Sequence, residues 1–375
     1  MEENTSASIE QAEKILVIGL TGIGNVLLCV PALKELKRKY PKAQITLYTL
    51  PINRGLELLV ETKCLDKITY ARYEKYRTSG RFNWLSNLVG IVRDVWRLRK
   101  ERYDVSLYVF SGRPKRRFSM FVYLVNAKIS LVHSHQHRGY AKSRITRVPV
   151  IHGHDVTQNL NLLAALGIHP KEIDSRIELD SASLTWADAY LKQLGIDRSR
   201  PLIGMQPGGK AQFDTKRQWP QENFRIVAEQ LIDKYGCFVF LFGLANEEDL
   251  LRQIEHGRSQ RIIRVVEYPL ARVASILYNL SCFISNDSAL MHLAAAVGTP
   301  TIGLFGPTNP VRTAPFGEGH YVLKGGADID PRYDLLEQKR KKRYDADINR
   351  ISVDMVMRAA ERILNEPQGV PPCSR

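Results

Sequence analysis

Two unbroken apolar runs, each leading into a glycine-bearing turn and then a helical pattern, set the limits on what this chain can fold into. Lys14–Leu20 (KILVIGL) runs into Thr21-Gly22-Ile23-Gly24, and Leu202–Gln206 (LIGMQ) into Pro207-Gly208-Gly209. Apolar residues without alternation are what a strand buried on both faces requires, and such strands belong to parallel sheets covered by helices. After the first turn, Val26, Val30, Leu33 and Leu36 fall on one face and Lys34, Lys37 and Arg38 on another, which predicts an amphipathic helix. ITLYTL, DKITY, YDVSLYVF and AKISLV read as further strands of the first half, with a helical stretch over 84–101; CFVFLFG, IIRVV, CFISN and TPTIGLFG follow in the second, after a helix over 221–235. Strands alternating with helices predict a doubly wound sheet in each half. At 375 residues the chain exceeds what one core serves. Residues 154–197 read as helical and polar, with Gly167 and Gly195 as helix stops, closing the first half, and Val353, Val356, Ala359 and Ile363 predict a terminal helix. The expected division is 1–180, 181–350 and a closing helix and tail over 351–375. Ligands of such sheets bind beyond the carboxyl ends of the strands, so loops from both halves are expected to face a shared cleft.

Several function classes drop out. The first turn does not have the GxGxxG spacing of dinucleotide sites, no acid ends the second strand to hold a ribose, and no GxxxxGK[ST] sequence is present. The five cysteines are widely spaced with no CxxC pair, which suits a reducing cytosol and suggests no zinc site. Asp328-Ile-Asp330 and Asp345-Ala-Asp347 lie beyond the last strand and read as surface acids rather than metal ligands. The opening MEENTSASIEQAEK is acidic and polar where a secretory signal is basic and then apolar, and no apolar run reaches the ~18 residues of a spanning helix. The net charge of +15 is uneven, with Arg93, Arg97, Arg99, Lys100, Arg102, Arg113, Lys115, Arg116, Arg117, Arg138, Lys142, Arg144 and Arg147 balanced by few acids. That region should meet a phosphorylated acceptor or an anionic membrane face. Nucleic acid is the least expected of the negative partners, since no aromatic platform interleaves the cations. The run Lys339–Arg343 reads as a solvated stretch.

Chemistry concentrates between Cys282 and Thr308 (CFISNDSALMHLAAAVGTPTIGLFGPT): a buried strand, a polar turn, a helix and a second strand ending in Gly-Pro-Thr. Asn286, Asp287 and Ser288 are residues that cap a helix, and Ser288 and His292, four apart, share a face near the end that favours an anion. A phosphate suits that place, and so does a plain cap over a packed histidine.

Taken in order, GLTGIGNVLLCVPALKELKRKYPKAQITL, QPGGKAQFDTKRQWPQENF, FGLANEEDL and SNDSALMHLAAAVGTPTIGLFGPTNP resemble the family 9 glycosyltransferases, whose best-known members are the ADP-heptose:lipopolysaccharide heptosyltransferases. The resemblance implies the α/β GT-B fold, two Rossmann-like doubly wound domains facing across a cleft, and a metal-independent inverting transfer with no cofactor. It also implies that the second domain holds the nucleotide sugar, ADP-heptose being the leading donor. Asp287, Ser288, Ala289 and His292 fall on the family's D-[TS]-G-x-x-H motif, with Ala289 in place of glycine. Lys216 and Arg217 precede Trp219-Pro220 where the family has a cation for the leaving diphosphate, the register leaving open which of the two serves. Gln206, Gly208 and Gly209 form the facing turn. Glu247 matches an acid that binds ligand hydroxyls and Tyr268 lies near the base-stacking position; a helix cap and a core edge are the equal alternatives.

By the same resemblance the first domain holds the acceptor near Gly22, Gly24 and Asn25, with Arg113, Arg116 and Arg117 for its phosphates or for the inner membrane face. The family has an aspartate base where this chain has Asn25. An amide has no useful basicity near neutral pH, so Asn25 can orient a hydroxyl but cannot take its proton. Another carboxylate, a histidine such as His154, the leaving diphosphate or water takes it, or the protein is a non-catalytic nucleotide-sugar or glycan-binding homologue. The expected function is transfer of a sugar, heptose first, to a lipopolysaccharide-core or other cell-envelope glycan, by a cytoplasmic protein in peripheral contact with the membrane.

Overall fold

The computed structural model describes residues 11–72, 83–109, 116–134, 145–209, 215–257, 260–327 and 345–365. The chain divides into two compact units, Met1–Ser175 and Arg176–Arg375.

The first unit is a parallel sheet of β1 (Lys14–Gly19), β2 (Gln44–Thr49), β3 (Lys67–Tyr70), β4 (Val105–Tyr108), β5 (Ile129–Ser134) and β6 (Ile145–Pro149) in the order β3-β2-β1-β4-β5-β6. Its central strand is buried from Ile15 onward, with Ile15 paired to Ile45 on one side and to Val105 on the other. The sequence predicts one helix after β1; the structure has two, α1 (Ile23–Leu27) and α2 (Val30–Lys39). Pro31 sits in the first turn of α2, the one place where its missing N–H costs nothing, and so starts a second helix instead of extending the first. Next come α3 (Asn83–Lys100), α4 (Arg116–Val125) and α5 (Asp155–Ala164). Alternate residues of β1, Leu16 and Ile18, share a core with Leu98 of α3 and with Phe121, Val122 and Val125 of α4. Asp94, fully buried on α3, fixes that helix. Its carboxylate accepts from the Tyr48 hydroxyl at 2.8 Å, the Arg72 N–H at 2.7 Å and the Arg97 guanidinium at 2.9 Å. A buried carboxylate is stable only when satisfied this fully.

The second unit repeats the plan. β7 (Leu202–Gln206), β8 (Phe238–Gly243), β9 (Ile262–Val266), β10 (Cys282–Asn286), β11 (Thr301–Phe305) and β12 (Tyr321–Lys324) pair in parallel in the order β12-β11-β10-β7-β8-β9, the same path as the first sheet read from its other edge. The longer helices are α6 (Ser181–Gln193), α7 (Gln221–Tyr235), α8 (Glu248–Glu255), α9 (Leu270–Tyr278), α10 (Ala289–Ala296) and α11 (Val353–Asn365). Val356, Ala360 and Ile363 of α11 belong to the same core as Trp219, Val239, Leu241 and Ile284, so the terminal helix is part of this unit. The Trp219 indole N–H, fully buried, donates to Ile351 O at 2.7 Å, which ties the segment before α11 to the core.

Residues 154–197 hold two helices, and both expected glycine stops follow them, Gly195 at φ +65° after α6. Gly167, at φ +70°, stops α5, and an extended segment follows until Asp180 caps α6 by accepting from Ser183 N at 2.6 Å. Cys29, Cys64, Cys237 and Cys282 are free and buried; burial pushes the thiols of Cys29 and Cys237 up to about 12 and that of Cys282 higher still. Among the described residues no helix is long and apolar enough to cross a membrane. Asp347 caps the turn Ile348–Arg350 and Asp345 pairs with Arg350, so these two acids hold local structure. Asp328, Asp330 and Lys339–Arg343 lie outside the described residues.

Candidate functional site

The strand order of the second unit reverses between β7 and β10, where doubly wound sheets bind ligands. Ser285 of β10 lies in register with Gln206, the last residue of β7, so the turns that follow both strands leave the sheet side by side. Asn286 links them: its Nδ2 donates to Pro207 O at 2.9 Å and its Oδ1 accepts from Trp219 N at 3.0 Å. Asp287 comes next, and its Oδ2 accepts from Arg217 Nη2 at 2.7 Å while its carbonyl accepts from the same nitrogen at 2.8 Å. Arg217 has 18% and Asp287 10% of its side chain exposed, so the pair is partly withdrawn from solvent but still reachable. Of the two cations offered by the sequence, Arg217 faces Asp287; Lys216 is exposed. Gly306, after β11, lets this turn fit, since a Cβ there would stand 2.6 Å from Lys216 O.

Ser288 is the cap of α10. Its hydroxyl accepts from Met291 N at 3.4 Å and donates to Gln206 Oε1, so Gln206 holds the helix start against the end of β7. Ala289 opens the helix, half-buried, and His292, one turn on, is buried. The facing turn rests on Glu247. This residue, 7% exposed, accepts from Gly209 N at 2.6 Å through Oε1 and from Leu244 N at 2.9 Å through Oε2. Both alternatives read for Glu247 concern one carboxylate, and here it caps its own short turn while bracing the glycine turn. Gly208 has no room for a side chain, because a Cβ would lie 2.4 Å from Glu247 Oε1; Gly209, at φ +115°, adopts a backbone that favours glycine. Tyr268 lies on the turn from β9 into α9 and packs its half-buried ring 5.7 Å from Tyr190 and 5.9 Å from Trp186 of α6. Burial, helped by the Tyr268 hydroxyl, pushes the Tyr190 phenol up. The structure therefore gathers Gln206, Gly208, Gly209, Arg217, Glu247, Asp287 and Ser288 at the carboxyl ends of β7, β8 and β10, and sets Tyr268 in the aromatic group of α6.

In the first unit the turn after β1 is held from beneath by side chains that carry no motif. Thr49 Oγ1 donates to Gly19 O at 2.8 Å. Asn53, fully buried, donates to Thr21 O at 2.7 Å and Thr49 Oγ1 at 2.6 Å. Gly22 precedes α1, and Gly24 and Asn25 lie within it. Asn25 donates through Nδ2 to Thr21 Oγ1 at 2.6 Å, which points its amide oxygen the other way, as a hydrogen-bond acceptor. His154 caps α5, its Nδ1 accepting from Val156 N at 3.2 Å; a ring in that tautomer carries its proton on Nε2 and has no lone pair left for a base. Arg116 and Arg117 form the first turn of α4, and Arg113 lies outside the described residues.

Comparison with known proteins bears on the fold and the family. The family model described as "Glycosyltransferase family 9 (heptosyltransferase)" matches residues 93–344. Lipopolysaccharide heptosyltransferase 3 of Escherichia coli K12 is 27% identical over 362 residues, covering 94% of this chain and 98% of its own. Among solved structures, a family 9 glycosyl transferase from Veillonella parvula superposes with a TM-score of 0.73 at 23% identity, covering 95% of this chain and 98% of its own. ADP-heptose LPS heptosyltransferase II of Escherichia coli does so with 0.69 at 19%, covering 94% and 98%. These likenesses place both sheets in the GT-B fold, and the match over two thirds of the sequence decides the family: the chain belongs to glycosyltransferase family 9.

Proposed function

We propose that this glycosyltransferase moves heptose from ADP-heptose to a phosphorylated lipopolysaccharide-core or related cell-envelope glycan, in a single displacement that inverts the anomeric centre and uses no metal ion. The observation that carries the reading is the Arg217–Asp287 pair at the strand reversal, beside the capped start of α10. A leaving diphosphate develops charge as the glycosidic bond breaks, and a fixed guanidinium with helix N–H groups beside it offsets that charge without reorganisation. Asp287 holds the guanidinium in place. The relatives' names supply the sugar and the nucleotide, since the matched proteins are heptosyltransferases and one is named for ADP-heptose.

In this reading the acceptor hydroxyl is oriented by Asn25 Oδ1 and gives up its proton to the departing diphosphate or to water. Calorimetry with ADP and ADP-heptose tests the donor half directly. Arg217→Ala should leave a folded protein whose transfer rate falls about 10²-fold or more; binding of neither nucleotide by the wild type would sink the proposal. Proton NMR of the product reads the anomeric configuration, and a rate unchanged by EDTA is the expected outcome for metal-independent transfer. Asn25 favours one rival, a binding protein without catalysis. Asn25→Asp separates the two, because a restored base should speed an active enzyme by about 10²-fold and leave an inert binder inert.

A further inference from the structure

The charge of this protein is not shared between its units. Met1–Ser175 carries 28 Lys and Arg against 15 Asp and Glu, a net of +13, whereas the 26 and 24 of the second unit nearly cancel. From Val105 to His154 the sequence holds nine Lys or Arg and not one carboxylate. The same unit carries a second oddity. Seven of the fourteen exposed large apolar side chains among the described residues sit on just two neighbouring helices: Leu88, Val89, Val92 and Trp96 on α3, and Met120, Tyr123 and Leu124 on α4. Trp96 and Met120 are each 61% exposed and Val92 59%.

The two helices pack on one another and present their other sides to the core through Leu98, Phe121 and Val122. The outer arc of α3, where a helix on a water-facing surface carries charged residues of both signs, holds those four apolar side chains edged by Arg93, Arg99 and Lys100. Its one acid, Asp94, is buried on the opposite side. Lys100 extends its ammonium to 3.4 Å from the centre of the Trp96 ring, so the cation and the indole emerge together. Apolar side chains with an indole at the centre, cations at the margin and no carboxylate are what a helix needs to lie in the headgroup region of a bilayer, with its cations reaching back to lipid phosphates. A protein partner would be expected to answer some cations with carboxylate pairs and leave apolar contacts in a closed pocket; the excess of one sign matches a surface of uniform opposite charge.

We propose that the exposed face formed by α3 and α4 docks on an anionic lipid bilayer, with Leu88, Val92, Trp96 and Met120 entering the interface and Arg93, Arg99 and Lys100 meeting lipid phosphates. This goes beyond the transfer reaction and does not depend on it, because docking requires neither donor nor acceptor.

The test uses the full chain, floated with vesicles of phosphatidylglycerol and phosphatidylcholine in equal parts and with vesicles of phosphatidylcholine alone. The protein should rise with the first and not the second, and lose binding as salt increases. Val92→Glu and Trp96→Glu should each weaken the partition about tenfold, the scale of one apolar side chain kept out of the interface. Replacing Arg93 by Ala should weaken it about fivefold. These side chains are mostly in water, so the variants should melt at the wild-type temperature, which separates lost docking from lost folding. Equal binding to both vesicles, no binding to either, or wild-type binding by Trp96→Glu would overturn the proposal. So would a wild-type dimer that Trp96→Glu turns into a monomer without any vesicle binding, since the occupant would then be a second copy of the chain.

Discussion

Glu247 shows how much one carboxylate can organise. Its two oxygens each take a backbone N–H, one from its own turn and one from Gly209, so the glycine turn is positioned by a side chain 38 residues away. Glu247→Gln keeps the shape but turns one acceptor into a donor facing an N–H. The variant should lose about 1–3 kcal/mol of unfolding free energy in urea titrations and bind ADP more weakly. Gly208→Ala should behave similarly, because the added methyl meets that fixed carboxylate. His320 makes a different kind of prediction. Burial lowers it to about 4 from an ordinary 6.5, Arg176 adds to the effect, and its Nδ1 accepts from Thr301 N at 3.2 Å. The folded state therefore holds it neutral while the unfolded chain takes up a proton below about 6.5. Its contribution is complete above that value and is lost as pH falls towards about 4. The urea midpoint should drop across this window in the wild type and drop less in His320→Asn, whose amide oxygen can still accept from Thr301.

At the scale of elements, what was legible in the sequence is what burial writes into it. β1, β2, β7, β8, β10 and β11 are central or near-central strands, and their apolar runs announce them. β6 and β12 escaped because, unlike the edges β3 and β9, they carry no pattern of their own: Ile145–Pro149 sets Thr146 and Arg147 side by side and ends in proline, and Tyr321–Lys324 has no fully buried side chain. Half-exposed edge strands need no continuous apolar run, and their identity comes from a neighbour rather than from their own residues. The turns after β7 and β10 were legible as a set of motifs, whereas their wiring was not. Nothing local ties Arg217 to Asp287, 70 residues on, or makes Asn53 the support of the turn that carries Asn25. Trp219 tests the most remote of these links. Trp219→Phe removes the donor to Ile351 O and should cost about 1–3 kcal/mol, with loosening first seen as faster amide exchange in α11.

For the molecule as a whole, two sheets of identical path sit in units of very different charge. The second unit has its own core, closed by α11, and carries every described residue that the donor site is proposed to use. A fragment beginning at Arg176 should therefore fold by itself and bind ADP with nearly the affinity of the full chain, as calorimetry on both would show. The first unit holds almost all the net charge and the exposed apolar face, and should account for all binding to anionic vesicles when expressed alone.

The buried cysteines have a practical consequence. Cys29, Cys64, Cys237 and Cys282 are sealed in the two interiors, and the thiols of Cys29, Cys237 and Cys282 are held far from ionisation, so maleimide reagents will pass them by while the protein is folded. Once Cys373 is replaced, a single cysteine placed at Met120 becomes a unique handle. A dye there would report how deeply α4 sits in a bilayer.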